Sequence, residues 1–234
     1  MNPYQAVKDF ERALSDYTGA PYAVTVTSCT MALLLAVAWH LRGGTACSIC
    51  GITAEQVQRA GGHLCDRTPC GYQAIRKREI NIPKRTYVSV PQSIIHAGGR
   101  PVFRDENWTG AYQLKPLPVW DCARRFTSSM YVSGQMQCLS FHQSKILGDT
   151  QGGCVLHDDP EADKWLRRAR FDGRTEGVNP KDDTFDMLGH HCYLSPDVAA
   201  RLLWKLSKLP RYNSDLSTDD YPDLSMAPIF KVGT

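Results

Sequence analysis

The chain reads as an α/β protein: a mostly parallel central sheet covered by helices on both faces. Three observations predict this class. Short β-branched or aromatic runs alternate with longer segments whose apolar residues recur at helical spacing. A small polar turn, Thr27-Ser28-Cys29-Thr30, joins one such run to an almost wholly apolar helix. Polar residues of chemical interest, Ser28, Asp121 and Lys145, all fall at the ends of expected strands, where sheets of this kind bind ligands.

Residues 4–17 place Val7, Phe10, Leu14 and Tyr17 on one helical face, with Gly19 as a stop. Residues 22–26 form a short strand, and residues 31–41 a buried helix ending at Gly43-Gly44. The first backbone N–H groups of that helix have no internal acceptor, so the turn before it favours an anion. A strand is expected at 80–83, a helix at 90–97, a strand at 101–103, and another at 118–120 that delivers Asp121. The apolar run 136–141 is a buried strand, and Lys145 follows it. Gly152-Gly153 leads into a strand reaching His157, then a helix over 160–170 and a polar loop over 171–186. Ser195-Pro196 opens a last helix, Ser195 as N-cap and Pro196 at the first position, running to about residue 209. Residues 210–234 show no period and read as tail or loop. The domain division is thus an α/β unit over 1–209, interrupted at 45–79, and a C-terminal tail.

The 234 residues, 42% hydrophobic and 22% charged, suffice for one substantial core. A net charge of +3 does not argue for a nucleic-acid or membrane partner. The longest apolar stretch, residues 31–39, is too short to span a bilayer. Asp9 and Glu11 stand where a signal peptide would need an apolar core, so a cytoplasmic location is expected. Nine cysteines is an odd count, which argues against a disulfide framework. Cys29, Cys122, Cys138, Cys154 and Cys192 sit singly among apolar or small residues and read mostly as buried small hydrophobes. The other four lie in the 45–79 insertion. Cys47, Cys50, Cys65 and Cys70 can supply a tetrahedral thiolate site for structural zinc, with His63 as a substitute ligand. A reduced, metal-free loop is the alternative. The basic groups Arg76-Lys77-Arg78 and Lys84-Arg85 could contact phosphates but more ordinarily form a solvated face.

Taken in order, the motifs Thr27-Ser28-Cys29-Thr30-Met31-Ala32-Leu33, Pro83-Lys84-Arg85-Thr86-Tyr87, Gly98-Gly99-Arg100-Pro101-Val102-Phe103, Asp121-Cys122-Ala123, Ser140-Phe141-His142-Gln143-Ser144-Lys145 and Gly152-Gly153 resemble the DegT/StrS family of pyridoxal-phosphate-dependent aminotransferases, which act chiefly on keto-sugar nucleotides. The resemblance implies the fold type I large domain, with a reduced or missing small C-terminal domain. It implies that Lys145 forms the Schiff base with pyridoxal 5'-phosphate and shuttles protons, with His142 beside it. Asp121 would pair with the pyridine nitrogen, Tyr87 would stack on the ring, and Ser28, Cys29, Thr30 and Ser140 would hold the phosphate. A homodimer is implied too, with the partner completing the site.

Four departures from the family pattern bear on these roles. Cys29 replaces a glycine, narrowing the approach to the phosphate. Arg124 stands where glutamine or histidine usually stacks on the cofactor, and could stack or pair with an acidic substrate. His191 falls where an asparagine usually reaches the neighbouring subunit's phosphate. Only fifteen residues separate Asp105 from Asp121, where relatives carry a further strand–helix unit. The expected activity is transfer of an amino group from a donor such as glutamate to a keto-sugar nucleotide or similar carbonyl. The same apparatus would also serve another amino-acid reaction such as decarboxylation. A non-catalytic binding or regulatory relative is the alternative of a different class.

Overall fold

The computed structural model describes residues 4–42, 78–218 and 221–231. The zinc expectation, resting on Cys47, Cys50, Cys65 and Cys70, lies outside them. The described chain runs α1 (Gln5–Thr18), β1 (Tyr22–Val26), α2 (Cys29–Leu41), β2 (Glu79–Pro83), α3 (Ser89–His96), β3 (Arg100–Arg104), β4 (Tyr112–Gln113), β5 (Val119–Asp121), β6 (Met136–Ser140), β7 (Gly153–His157), α4 (Pro160–Ala169) and α5 (Pro196–Leu206). None of its helices is long and apolar enough to cross a membrane.

The α/β class holds, but the central sheet is mixed rather than mostly parallel. Its five strands lie in the order β1-β7-β6-β5-β4. Only β5 and β6 run parallel; β1/β7, β6/β7 and β4/β5 are antiparallel. The connection from β6 to β7 holds no helix, and so short a return suits an antiparallel pair. Parallel pairing needs a crossover element, which α3 provides between β2 and β3 in a separate two-stranded sheet. The strand β4 had no counterpart in the sequence reading. It occupies the interval between Asp105 and Asp121 and pairs Tyr112 with Asp121.

Side-chain alternation splits the core into two layers. Val24, Val26, Cys138 and Val155 face α2, α3 and α4; Ala23, Leu139, Cys154 and Leu156 face α1 and α5. Helix α2 is apolar nearly all round because it packs on the sheet and under α3 and α4 together. A buried ion network ties the N-terminal half to α4. Glu11 pairs with Arg170 and, at 2.7 Å, with Arg167, and also accepts from Thr25 N (2.9 Å) and Oγ1 (2.8 Å).

Two features shape the site. The turn between β1 and α2 is clamped against the start of β7. A Cβ on Gly153 would sit 2.4 Å from the carbonyl carbon of Ser28, a contact real side chains do not make. Gly153→Ala should therefore destabilise the fold by about 1–3 kcal/mol and spread the turn. Equal urea midpoints for variant and wild type would refute this close approach. The second feature is the C-terminal segment, whose sequence without period reads as tail or loop. Leu216 N donates to Arg124 O (2.9 Å), Arg125 holds Asp215 (2.7 Å), Leu224 N donates to Lys84 O (2.8 Å), and Lys84 pairs with Asp223 (3.1 Å). These anchors bring the C-terminal segment across the mouth of the site, with Leu224 buried.

Candidate active site

The strand-end positions meet at one cavity of about 360 Å³. Its lining includes nine of the ten candidate cofactor-site and catalytic residues: Ser28, Cys29, Thr30, Tyr87, Asp121, Arg124, Ser140, His142 and Lys145. Ser28 caps α2 by accepting from Met31 N at 3.2 Å, so of the first turn the N–H groups of Cys29 and Thr30 have no intrahelical acceptor. Thr30 Oγ1 donates to Ser89 Oγ (2.8 Å), and Ser93 Oγ donates to Thr30 O (3.0 Å), which ties this corner to α3. The thiol of Cys29 turns back to the sheet and donates to Cys138 O at 3.7 Å. Burial keeps it protonated, well above the ordinary thiol range.

Asp121 is only 4% exposed and ends β5. Its Oδ1 accepts from Ala123 N (2.9 Å) and its Oδ2 from Tyr112 OH (2.9 Å). Tyr112 lies in turn within 2.5 Å of Thr86 Oγ1. Burial raises the carboxyl above its usual pKa, opposed by those hydrogen bonds and by the positive charges of Lys145 and Arg124. Lys145 is half-buried, with its backbone N bonded to His142 O (2.8 Å). Burial, then the charge of Arg124, lowers its pKa from the usual lysine value, which enlarges its neutral, nucleophilic fraction. His142 is exposed, and its Nδ1 lies 3.0 Å from Ser144 Oγ. Tyr87 stands at the rim, 59% exposed.

The loop carrying Lys145 is pinned from outside the cavity. Asp149 N donates to Phe141 O (2.8 Å), and the Asp149 carboxylate accepts from Arg201 (2.9 Å) and Lys205 (2.7 Å) of α5. Those two cations hold the Asp149 carboxyl well below the usual range, with burial opposing them.

His191 is the exception among the candidates. It does not line the cavity; it is exposed, with Nδ1 2.9 Å from Asp172 Oδ2 and its ring edge against Tyr193. A backbone bridge to Phe171 holds it there, on the surface of this chain. Conversely, Tyr112, Thr86, Ser89, Trp108, Gln151 and Tyr221 belong to the site or support it and were not singled out from sequence. The signal for Tyr112 was its position on a short apolar-flanked run before Asp121; Tyr221 lies in a stretch without periodicity and offered none.

The arrangement suits a phosphorylated pyridine. A helix N-terminus with hydroxyls offers a phosphate cradle, a buried carboxylate offers an acceptor for a ring N–H, and a lysine of lowered pKa shares the same space.

The architecture is that of the pyridoxal-phosphate-dependent aminotransferases. It matches the sugar aminotransferase CalS13 from Micromonospora echinospora with a TM-score of 0.63 at 17% identity, over 88% of this chain and 62% of that one. It matches a DegT DnrJ EryC1 StrS aminotransferase from Brucella abortus with a TM-score of 0.60, also at 17% identity, over 87% of this chain and 58% of that one. A model of the DegT/DnrJ/EryC1/StrS aminotransferase family matches residues 1–46 and 129–217, and the chain belongs to that family. Ser28, Lys145 and His191 fall within the matched segments; Tyr87, Asp121 and Arg124 fall between them. Among curated proteins, L-glutamine:2-deoxy-scyllo-inosose aminotransferase from Streptomyces fradiae is 27% identical over 87% of this chain. The chain spans about half the length of that relative, 52%.

Proposed function

We propose that the protein is a pyridoxal-phosphate-dependent aminotransferase. It moves an amino group from an amino acid such as glutamate or glutamine to the carbonyl of a keto sugar, its nucleotide, or a keto cyclitol. The observation that carries this reading is the convergence of Lys145, Asp121 and the N-terminus of α2 on one cavity. Membership of the family and the name of the curated relative, which specifies an amino-acid donor and a cyclic ketone, support it.

The residues divide the work. The first turn of α2, with Ser28 and Thr30, and Ser140 bind the phosphate; Asp121 accepts the pyridine N–H, and its raised basicity strengthens that bond. Tyr112 and Thr86 orient the Asp121 carboxylate. Tyr87, at the rim of the cavity, would stack on the ring. Lys145 would hold the cofactor and would carry the proton at its Nζ, and the Asp149 clamp keeps its loop in place. Pyridoxal phosphate, when bound, supplies the electron sink that makes a substrate C–H acidic. A homodimer, with His191 directed toward the partner's site, completes this reading.

The test is the absorption spectrum of the purified protein with added pyridoxal phosphate, before and after borohydride reduction, with the modified peptide mapped. A yellow protein whose reduced adduct maps to Lys145, and which then converts a keto sugar or keto cyclitol with glutamine or glutamate, is the expected result. A protein that stays colourless overturns the reading.

A further inference from the structure

We infer that Arg124 and Tyr221 form a carboxylate-binding corner of this cavity, one that takes a carboxylate of the amino-acid donor; the assignment to the donor rests on the aminotransferase reading above. Two consecutive arginines have opposite fates. Arg125 is satisfied by Asp215, Nε at 3.0 Å and Nη2 at 2.7 Å. Arg124 lines the cavity, and among the described residues no carboxylate lies within ion-pair distance of it. Its Nε donates to Tyr221 OH at 3.0 Å and its guanidinium carbon lies 4.9 Å from the Tyr221 ring centre. That contact uses one edge of the guanidinium. Neither Nη has an acceptor among the described residues, so the fork that matches a carboxylate is available.

Tyr221 is itself braced. Its ring stacks on Trp108, centroids 6.0 Å apart at 18°, and Trp108 Nε1 donates to Arg85 O at 2.8 Å. The phenol oxygen accepts from Arg124, and among the described residues its own O–H has no acceptor, so it can donate to a ligand. Burial holds the phenol above its ordinary pKa, so that proton is kept at neutral pH. Charge points the same way. Of the described lining, Asp121 is the one carboxylate, and its oxygens are engaged by Tyr112 and Ala123; Arg124 and Lys145 are both cations when protonated. A cavity of that balance favours an anionic ligand.

The experiment is calorimetric titration of the protein loaded with pyridoxal phosphate, using glutarate and its uncharged diamide, glutaramide. Glutarate has no amino group and cannot react. Wild type should prefer glutarate. Arg124→Gln should weaken glutarate binding about 10- to 100-fold and Tyr221→Phe about 3- to 10-fold, with glutaramide binding unchanged. Tyr221→Phe keeps the ring against Trp108 and carries the test alone should Arg124→Gln fail to fold. Equal binding of diacid and diamide by wild type, or wild-type glutarate binding by folded variants, overturns the corner. A protein that takes no cofactor yet binds glutarate through Arg124 keeps the corner and overturns the donor assignment together with the aminotransferase reading.

Discussion

Lys145→Ala should lower amino transfer by about 10⁴-fold or more, the top of the range for a positioned acid–base group and then some for a lost nucleophile. No other described lysine lines the cavity, so no neighbour can stand in. Stability should respond in the opposite sense. Burial and Arg124 depress the Lys145 pKa in the folded state. For a base with a depressed folded pKa, the unfolded chain binds more protons between the folded and the unfolded pKa, so stability rises with pH across that window. Its charge therefore costs stability at neutral pH, and the cost vanishes as pH rises past the unfolded lysine pKa. Lys145→Met, similar in length and uncharged, should thus be inactive with a thermal midpoint at or above that of wild type at pH 7. A midpoint several degrees lower would show that Lys145 is held by favourable contacts rather than by an unfavourable site. Such opposition of activity and stability is expected where a charged group is kept half-buried for chemistry.

The second large effect is expected far from the cavity, at Glu11. Burial works against its charge, but Arg170 and Arg167 outweigh it and hold the carboxyl at about 2 against an ordinary 4.5. Removing one member of a buried ion network leaves the others unpaired and costs about 3–5 kcal/mol. Glu11→Ala should lose that much in urea unfolding at pH 7. The sign with pH follows from the depressed pKa. The contribution is fully present above the unfolded value and is lost as pH falls through the folded one. The difference between wild type and variant should therefore shrink between about pH 5 and pH 2. A difference that is constant over this window, or absent at pH 7, would refute the assignment of this stabilisation to the Glu11 carboxylate. The network matters to the site indirectly, because it fastens α1 and α4 to β1, and β1 leads directly into the turn of Ser28.

Much of the scaffold was legible because it is written locally. Strand β1 is bounded where its apolar run ends and α5 starts at Pro196 as expected, while α2 ends at Leu41 as expected but begins at Cys29, two residues before the expected start, because Ser28 caps it. Period, cap and breaker act over a few residues, so a linear reading captures them. The motif residues Asp121 and Lys145 were placed at strand ends for the same reason, and the fold brings both to one cavity. Helix α5 stops at Leu206 rather than near residue 209, the usual uncertainty of an unmarked end.

Other features depend on distance in the chain. Strand direction differs from the parallel expectation because alternation of elements suggests crossovers, whereas β6 returns to β7 through a loop without a helix. Arg170 meets Glu11 across 159 residues and Arg124 meets Tyr221 across 97, separations over which no sequence period carries information. Nothing in residues 210–234 marks a cavity-lining tyrosine; Tyr221 reaches the cavity because Asp215 and Asp223 anchor the segment on either side of it. By itself, then, the sequence determined most of the elements and put the aspartate and the lysine just past buried apolar runs, since both follow from local pattern. Only the tertiary structure decided their shared burial, the shifted protonation of Lys145 and the exclusion of His191 from the cavity, because burial and charge proximity arise when distant segments exclude water together.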